Sequence, residues 1–259
     1  CVKHRVPVVL SSKSAPGEVV ARVHDYGGVV FHDIASQRHA HKALEAGVDG
    51  LIAVTGGAGG HTGTLNPFAL LNEVRRLFDG PVVLAVTYTL NTNFGSGIVA
   101  PGTGIMLNNE MDDFSAKPGV PNAYGLIGGD ANAVAAGKRP LSSMTPTFVL
   151  KDGKPWLATG SPGGARIITT VLQQIVNGID FGMNPAEAAS QLRFHHQWTP
   201  DELRVEKGFP VDTLNLLRQK GQNVVVKASM GRTQTIQVHG DELWGYSDPR
   251  NPDGLTLGY

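Results

Sequence analysis

Two glycine-rich stretches in this chain have the residue types and placement to do chemistry. The first, Thr55-Gly56-Gly57-Ala58-Gly59-Gly60-His61-Thr62-Gly63, sets one imidazole among glycines, after an apolar run and before a helix. Glycines there let the backbone approach a flat ligand or a phosphate, and barrels of βα units carry their chemistry at the C-terminal ends of strands. The second is Gly163-Gly164, directly ahead of a helix-periodic segment. Backbone N–H groups in that position can hold a developing oxyanion, helped by the helix N-terminus. Other polar clusters say less by themselves. Asp112-Asp113 reads as a solvated turn and Ser142-Ser143 as a loop. His195-His196 resembles half of a metal site, but adjacent side chains point apart and no third ligand has fitting spacing, so no metal is expected.

The elements that must position these residues follow two patterns. Over residues 1–85, short apolar runs alternate with amphipathic stretches. Strands are predicted at Val6–Leu10, Gly28–Phe31, Gly50–Val54 and Pro81–Val86. Between them helices are predicted from Ser14–Glu18 onward with Val19, Val20 and Val23 on one face, over Gln37–Ala46, and over Pro67–Phe78. Strand–helix alternation at this spacing argues for a parallel sheet or part of a (β/α) barrel. After residue 86 turns become frequent. Thr147–Leu150 and Pro155–Thr159 flank Asp152-Gly153, a type I′ hairpin signal, and Thr235–Val238 and Leu243–Tyr246 flank Gly240-Asp241. Helices are predicted at about Ala165–Asn177 and at Pro185–Leu192, the latter capped by Asn184. Antiparallel strands with segregated helices make an α+β layer arrangement. The change of pattern falls inside the apolar run Pro81–Leu90, an unusual place for a domain boundary.

The totals exclude some functions. Lys plus Arg and Asp plus Glu are 22 each, and a neutral chain with no basic stripe is a poor nucleic-acid binder. No apolar run reaches the roughly 18 residues of a membrane helix, so no membrane partner is expected. The single cysteine, Cys1, excludes an internal disulfide. The opening residues lack the pattern of a signal peptide, and the missing initiator Met suggests a processed or truncated start.

From Val86 to Tyr259, about two thirds of the chain, five stretches in order resemble the small subunit of the γ-glutamyltransferases, also called glutathione hydrolases. They are Val86–Asn91, Leu107–Phe114, Arg139–Pro146, Gly160–Gly164 and Arg193–Gln197. The resemblance implies an N-terminal-nucleophile hydrolase αββα-type fold acting on γ-glutamyl amides such as glutathione, without a cofactor, paired with a large subunit and exported to the periplasm. It places Glu110 and Asp113 against the substrate ammonium with Asn91 adding a hydrogen bond, and Ser142 and Ser143 against the α-carboxylate. Gly163 and Gly164 become the oxyanion hole, and Thr89 the threonine whose hydroxyl bonds the nucleophile.

The glycine loop, with Ala46–Gly50 and Phe78–Ala85, resembles the nitronate monooxygenases, which are FMN-dependent barrels. That likeness implies a flavin near Gly59, Gly60 and His61, with His61 as the base that takes a proton from the carbon beside a nitro group. The segment matches about a third of such a barrel and runs into Val86-Thr87-Tyr88 where the family has further glycines for the FMN phosphate.

The chain therefore reads as an α/β and α+β chimera: barrel-type βα units over 1–85, then a hydrolase small subunit over 86–259. It also departs from the transferase pattern. Counting back from Thr89, the family's N-terminal threonine nucleophile falls on Leu71, which has no nucleophilic group. The large-subunit arginine that holds the substrate α-carboxylate is missing as well. Cys1, with a thiol beside its α-amine, is the conceivable substitute. Impaired γ-glutamyl transfer is the leading expectation; a flavin oxygenase using His61 and an inactive chain that only associates with a large subunit are the alternatives. Exposed apolar edges where each half lacks its usual partner predict aggregation or dimerisation.

Overall fold

The structure, a computed structural model, describes residues 2–12, 15–55, 65–80, 82–83, 87 and 89–257. Two compact units emerge: residues 1–86 with 148–158, and residues 87–147 with 159–259.

The first unit is built on β1 (Val8–Ser11), β2 (Val29–Ile34), β3 (Gly50–Ala53) and β4 (Val82–Val83), parallel and in chain order. Helices α1 (Gly17–His24), α2 (Gln37–Glu45) and α3 (Pro67–Arg75) make the connections. In α1, Val20 and Val23 stand three apart on the buried face. The Ser36 hydroxyl accepts the His39 N–H at 3.2 Å to start α2, and Gly47, at φ +79°, follows its end. Val30, Ile34, Leu51, Leu70 and Val74 are closed to solvent at the centre. Each such aliphatic side chain contributes about 1.5–3 kcal/mol of burial. Phe31 sits opposite Gly50, where an added Cβ would lie 2.3 Å from its ring; the glycine is the space the aromatic needs.

Beyond α3 the expected elements shrink. The helix stops at Arg75 rather than Phe78, because the Leu77 and Phe78 N–H groups both bond the Val74 carbonyl and Arg75 reaches the Gly80 carbonyl at 2.9 Å. Of the strand expected over Pro81–Leu90, Val82–Val83 pairs with Leu51–Ile52, while Thr87, Thr89 and Leu90 are not in a strand. There the Thr89 hydroxyl accepts the Asn91 N–H at 2.8 Å, and Asn91 turns the chain at φ +76°. A local side-chain bond has displaced the ladder.

The hairpin β5 (Thr147–Lys151) and β6 (Lys154–Gly160) forms as expected, with Asp152 and Gly153 both at positive φ (52° and 75°), the demand of a type I′ turn.

In the second unit, residues 91–146 form no helix longer than the 3₁₀ turns Glu110–Asp113 and Asp130–Asn132. Asparagines organise them. Asn122 Oδ1 accepts the N–H groups of Tyr124 and Leu126, each at 3.0 Å, and Asn132 Nδ2 donates to the Asp113 carbonyl at 2.7 Å. Then come α4 (Arg166–Ile179), α5 (Pro185–Ser190), β7 (Phe194–His195), β8 (Leu203–Glu206), α6 (Val211–Gln219), β9 (Val224–Lys227), β10 (Gln234–His239) and β11 (Glu242–Ser247). Asn184 caps α5 through a capping box with Glu187. The pair β10–β11 is antiparallel, as the Gly240-Asp241 turn implied. The elements β7, β8, α6 and β9 were not foreseen, and they correct the antiparallel expectation: β8 and β9 are parallel, joined across α6. Helix α6 buries no residue, so it has little apolar periodicity to read.

A charge cluster locks this unit. Arg193 and Asp248, 3% and 1% exposed, pair at 2.5 Å, and Arg250 bonds Glu206 at 2.6 Å and Asp248 at 3.2 Å. Arg193 also donates to the carbonyls of Met230 and Ala189 at 2.7 and 3.0 Å, so both terminal nitrogens of the buried guanidinium are engaged.

Candidate functional site

A cavity of about 370 Å³ opens within the second unit. Most of the residues singled out from sequence converge on it. Thr89, Asn91, Asp113, Ser142, Ser143, Gly163 and Gly164 all form its wall, together with Thr87, Tyr124 and Arg166, which sequence reasoning had given no role. They come from five separate stretches of loop and turn and from the first turn of α4, so only the fold gathers them.

Gly163 and Gly164 take φ values of 143° and 60°, open to glycine and strained for other residues. Their carbonyls accept the N–H groups of Arg166 and Ile167 at 3.3 and 3.0 Å and start α4. Neither glycine N–H has an acceptor among the described residues. Two such donors beside a helix start are suited to an anionic oxygen.

Tyr124 lies against these glycines. Its hydroxyl donates to the Asn91 carbonyl at 2.5 Å, and its ring is so close to Gly164 that a Cβ there would lie 2.5 Å from it. Burial first, and then the Asp113 charge, pushes the Tyr124 phenol above its ordinary pKa. Asn91 Nδ2 is committed to the Asn109 carbonyl at 3.1 Å, which leaves Oδ1 as its accepting atom. Thr89 turns its hydroxyl to its own chain as an acceptor, at the Asn91 N–H.

The acidic residues occupy the 3₁₀ turn Glu110–Asp113. Asp113 reaches the cavity wall, whereas Glu110 is not part of it. Burial, then the Asp113 charge, raises the Glu110 carboxyl, and its Oε1 is buried with no partner among the described residues. Burial, then the Asp112 charge, raises Asp113 in the same way. Two carboxylates pushed towards protonation by burial and by neighbouring acidic charge favour a cationic ligand. Asp112, in contrast, is used structurally, accepting the Ala123 N–H at 3.0 Å beside Tyr124.

His195 lies outside the cavity wall, between the Thr169 hydroxyl at 2.8 Å and the Gln197 amide oxygen at 2.9 Å, and His196 faces Asp201 at 3.1 Å. The two imidazoles thus engage different partners, His195 at the end of β7 and His196 just beyond it. Gly59, Gly60, His61 and Cys1 lie outside the described residues, so the flavin loop and the candidate N-terminal thiol have no structural account. Leu71 lies in α3 of the first unit.

The second unit is thus a mixed α/β domain with a cavity lined by two glycines whose N–H groups have no acceptor among the described residues, by threonines and serines, and by Asp113 and Arg166. Comparison with known proteins gives that class its family. The gamma-glutamyltranspeptidase family model matches residues 79–257, and the chain belongs to that family. It is 70% identical over 182 residues to the glutathione hydrolase proenzyme of Escherichia coli, covering 70% of this chain and 31% of that protein. With the glutathione hydrolase proenzyme of a Pseudomonas species it shares 47% identity over 192 residues, 70% of this chain and 33% of that protein. The chain therefore spans about a third of the length of these curated relatives. Among solved structures, a mutant of Helicobacter pylori gamma-glutamyltranspeptidase superposes with a TM-score of 0.63 at 57% identity, covering 64% of this chain and 91% of that one. The Pseudomonas nitroreducens enzyme complexed with L-DON gives 0.62 at 44% identity, covering 67% and 91%. The family match begins at residue 79, so Leu71 lies outside it.

Proposed function

We propose that the second unit holds the γ-glutamyl group of glutathione-like amides for acyl transfer or hydrolysis. The observation that carries this reading is the pair of unpartnered N–H groups at Gly163 and Gly164 on the same wall as Asp113, Ser142 and Ser143. Asp113, supported by the buried Glu110 charge and by Asn91 Oδ1, takes the α-ammonium. Ser142 and Ser143 take the α-carboxylate. The γ-carbonyl oxygen then meets the glycine N–H pair, whose hydrogen bonds strengthen as attack on the carbonyl carbon turns that oxygen into an alkoxide. Collapse of the tetrahedral intermediate breaks the C–N bond, the amine leaving with the proton given up by the attacking hydroxyl, and water or a second amine then displaces that oxygen from the acyl group and returns the proton to it.

In the γ-glutamyltransferase pattern the attack comes from the hydroxyl of an N-terminal threonine. Gap-free counting puts its position at Leu71, so transfer by this chain alone is impaired, and the partner it requires is the large-subunit portion of its relatives. The test is L-glutamate binding by titration calorimetry, together with nitroaniline release from γ-glutamyl-p-nitroanilide. The expected result is glutamate binding that Asp113→Ala removes, with little or no nitroaniline. Absence of glutamate binding by folded protein overturns the reading. Release that Cys1→Ala and Thr89→Ala both abolish would instead assign the attack to Cys1.

A second reading concerns the first unit. What supports the expected flavin oxygenase segment is that its four strands are parallel, in chain order and joined by helices, as successive βα units are. Yellow protein releasing FMN on denaturation supports it; colourless protein that takes up no added FMN removes it.

A further inference from the structure

We propose that Arg166 forms a carboxylate subsite at the amine side of this cavity, taking the acid group of the amino acid or peptide that leaves from, or accepts, the γ-glutamyl group. The proposal rests on the γ-glutamyl reading above and extends it to the other half of the substrate.

The charges on the wall lead to it. Asp113 and Arg166 are the charged residues among the described residues that line the cavity. Asp113 is assigned to the α-ammonium, the two serines to the α-carboxylate and the glycine N–H groups to the carbonyl oxygen. One cation is left over. Arg166 stands two residues after Gly164 in the first turn of α4, so it belongs to the carbonyl end of the cavity, where the amine departs. Its half-buried guanidinium has no hydrogen-bond or ion-pair partner among the described residues.

A second guanidinium reinforces the vacancy of negative charge. Arg204 is near enough for its charge to act on Arg166; it bonds the Ala228 carbonyl at 3.1 Å, and its buried Nε has no partner. Neither arginine is in an ion pair among the described residues, and the first turn of α4 contains no acidic residue. A cation there opposes the helix dipole, so the arrangement is unfavourable until an anion arrives. Burial, and then the Arg204 charge, holds the Arg166 guanidinium below its ordinary value, as expected of a cation whose counter-charge is missing. The planar fork of a guanidinium matches a carboxylate in two parallel hydrogen bonds, which makes a carboxylate the ligand chemistry of choice.

The experiment is calorimetric titration of the protein and its Arg166→Gln variant with L-glutamate, γ-glutamylglycine and γ-glutamylglycinamide. The two dipeptides differ only in the charge of the terminal group, and glutamate has no amine-side group. The expected result is that γ-glutamylglycine binds about tenfold tighter than its amide, roughly one charge-assisted contact. In Arg166→Gln the two dipeptides should bind equally, glutamate should bind as before, and Arg166→Lys should restore part of the difference. Equal binding of acid and amide by the unaltered protein overturns the proposal. A loss of glutamate affinity in Arg166→Gln overturns it too, since Arg166 would then hold the α-carboxylate or support the fold. If glutamate and both dipeptides fail to bind, the γ-glutamyl reading falls and this inference with it.

Discussion

The Tyr124 hydroxyl donates to the Asn91 carbonyl at 2.5 Å, tying the turn at residues 122–126 to the turn that follows Thr89. Sequence separates the two residues by 33 positions, yet this bond and the packing of the ring on Gly164 join three parts of the cavity wall. Removing the hydroxyl in Tyr124→Phe deletes one hydrogen bond and leaves a carbonyl under-satisfied. A loss of about 1 kcal/mol is expected, seen as faster amide exchange around residues 122–126; unchanged exchange would show that the ring alone holds the turn.

Gly164→Ala meets two obstacles at once. Its φ of 60° is left-handed, and its Cβ would lie 2.5 Å from the Tyr124 ring. The conformation alone costs about 1–2 kcal/mol. The expected outcome is a lowered melting temperature with loss of glutamate binding, because Tyr124 must move. A control substitution at Gly182, which has positive φ and open space around it, should cost stability and spare binding.

Asp113 and Glu110 predict opposite effects on stability and binding. Their folded pKa values are raised, so in the interval above the ordinary carboxylate value, about 4, the native state binds more protons than the unfolded state. Stability from these groups therefore grows as pH falls through that interval and is lost as pH rises through it. Ammonium binding needs the ionised form and weakens over the same interval. Asp113→Asn should flatten this slope in melting-temperature scans, stabilise the free protein near neutral pH and abolish glutamate binding. A slope retained in full would place the titrating group elsewhere.

Asp248 behaves in the other direction. Desolvation opposes its ionisation, but the Arg250 N–H and the Arg193 charge outweigh it and hold the carboxyl below its ordinary value. Its contribution is present above the ordinary carboxylate pKa and is lost as pH falls through the lowered one. Asp248→Ala leaves the Arg193 guanidinium buried without its partner, and a loss of about 3–5 kcal/mol is expected. Chemical denaturation measures it; a loss below 1 kcal/mol would mean Glu206 takes over the pairing.

Ile168, Leu172 and Ile179 lie on one side of α4 and are 52%, 55% and 55% exposed. Apolar residues at this spacing normally face a neighbour. Self-association of the isolated chain is the expected outcome in light scattering, reduced by Leu172→Lys. A monodisperse monomer counts against it.

The amino-acid sequence by itself determined the local devices: the Asp152-Gly153 turn, the Asn184 cap and the alternating strands and helices of the first unit. It also determined the residue types of the site, because Glu110, Asp113, the serine pair and the glycine pair stand in matching short motifs. These features depend on backbone preference and on side chains a few residues apart, so a local reading finds them. The tertiary structure alone decided the rest. It put Asp113 on the wall and left Glu110 off it, and it brought Tyr124, from a loop with no periodicity, to the same cavity as Arg166 in the first turn of α4. It also turned the Thr89 region out of a strand, through a bond from a side chain to its own backbone, and paired β8 with β9 across a helix that buries nothing. Each of these outcomes depends on which distant groups exclude water together, and residues 91–146 have no repeating pattern from which that can be inferred.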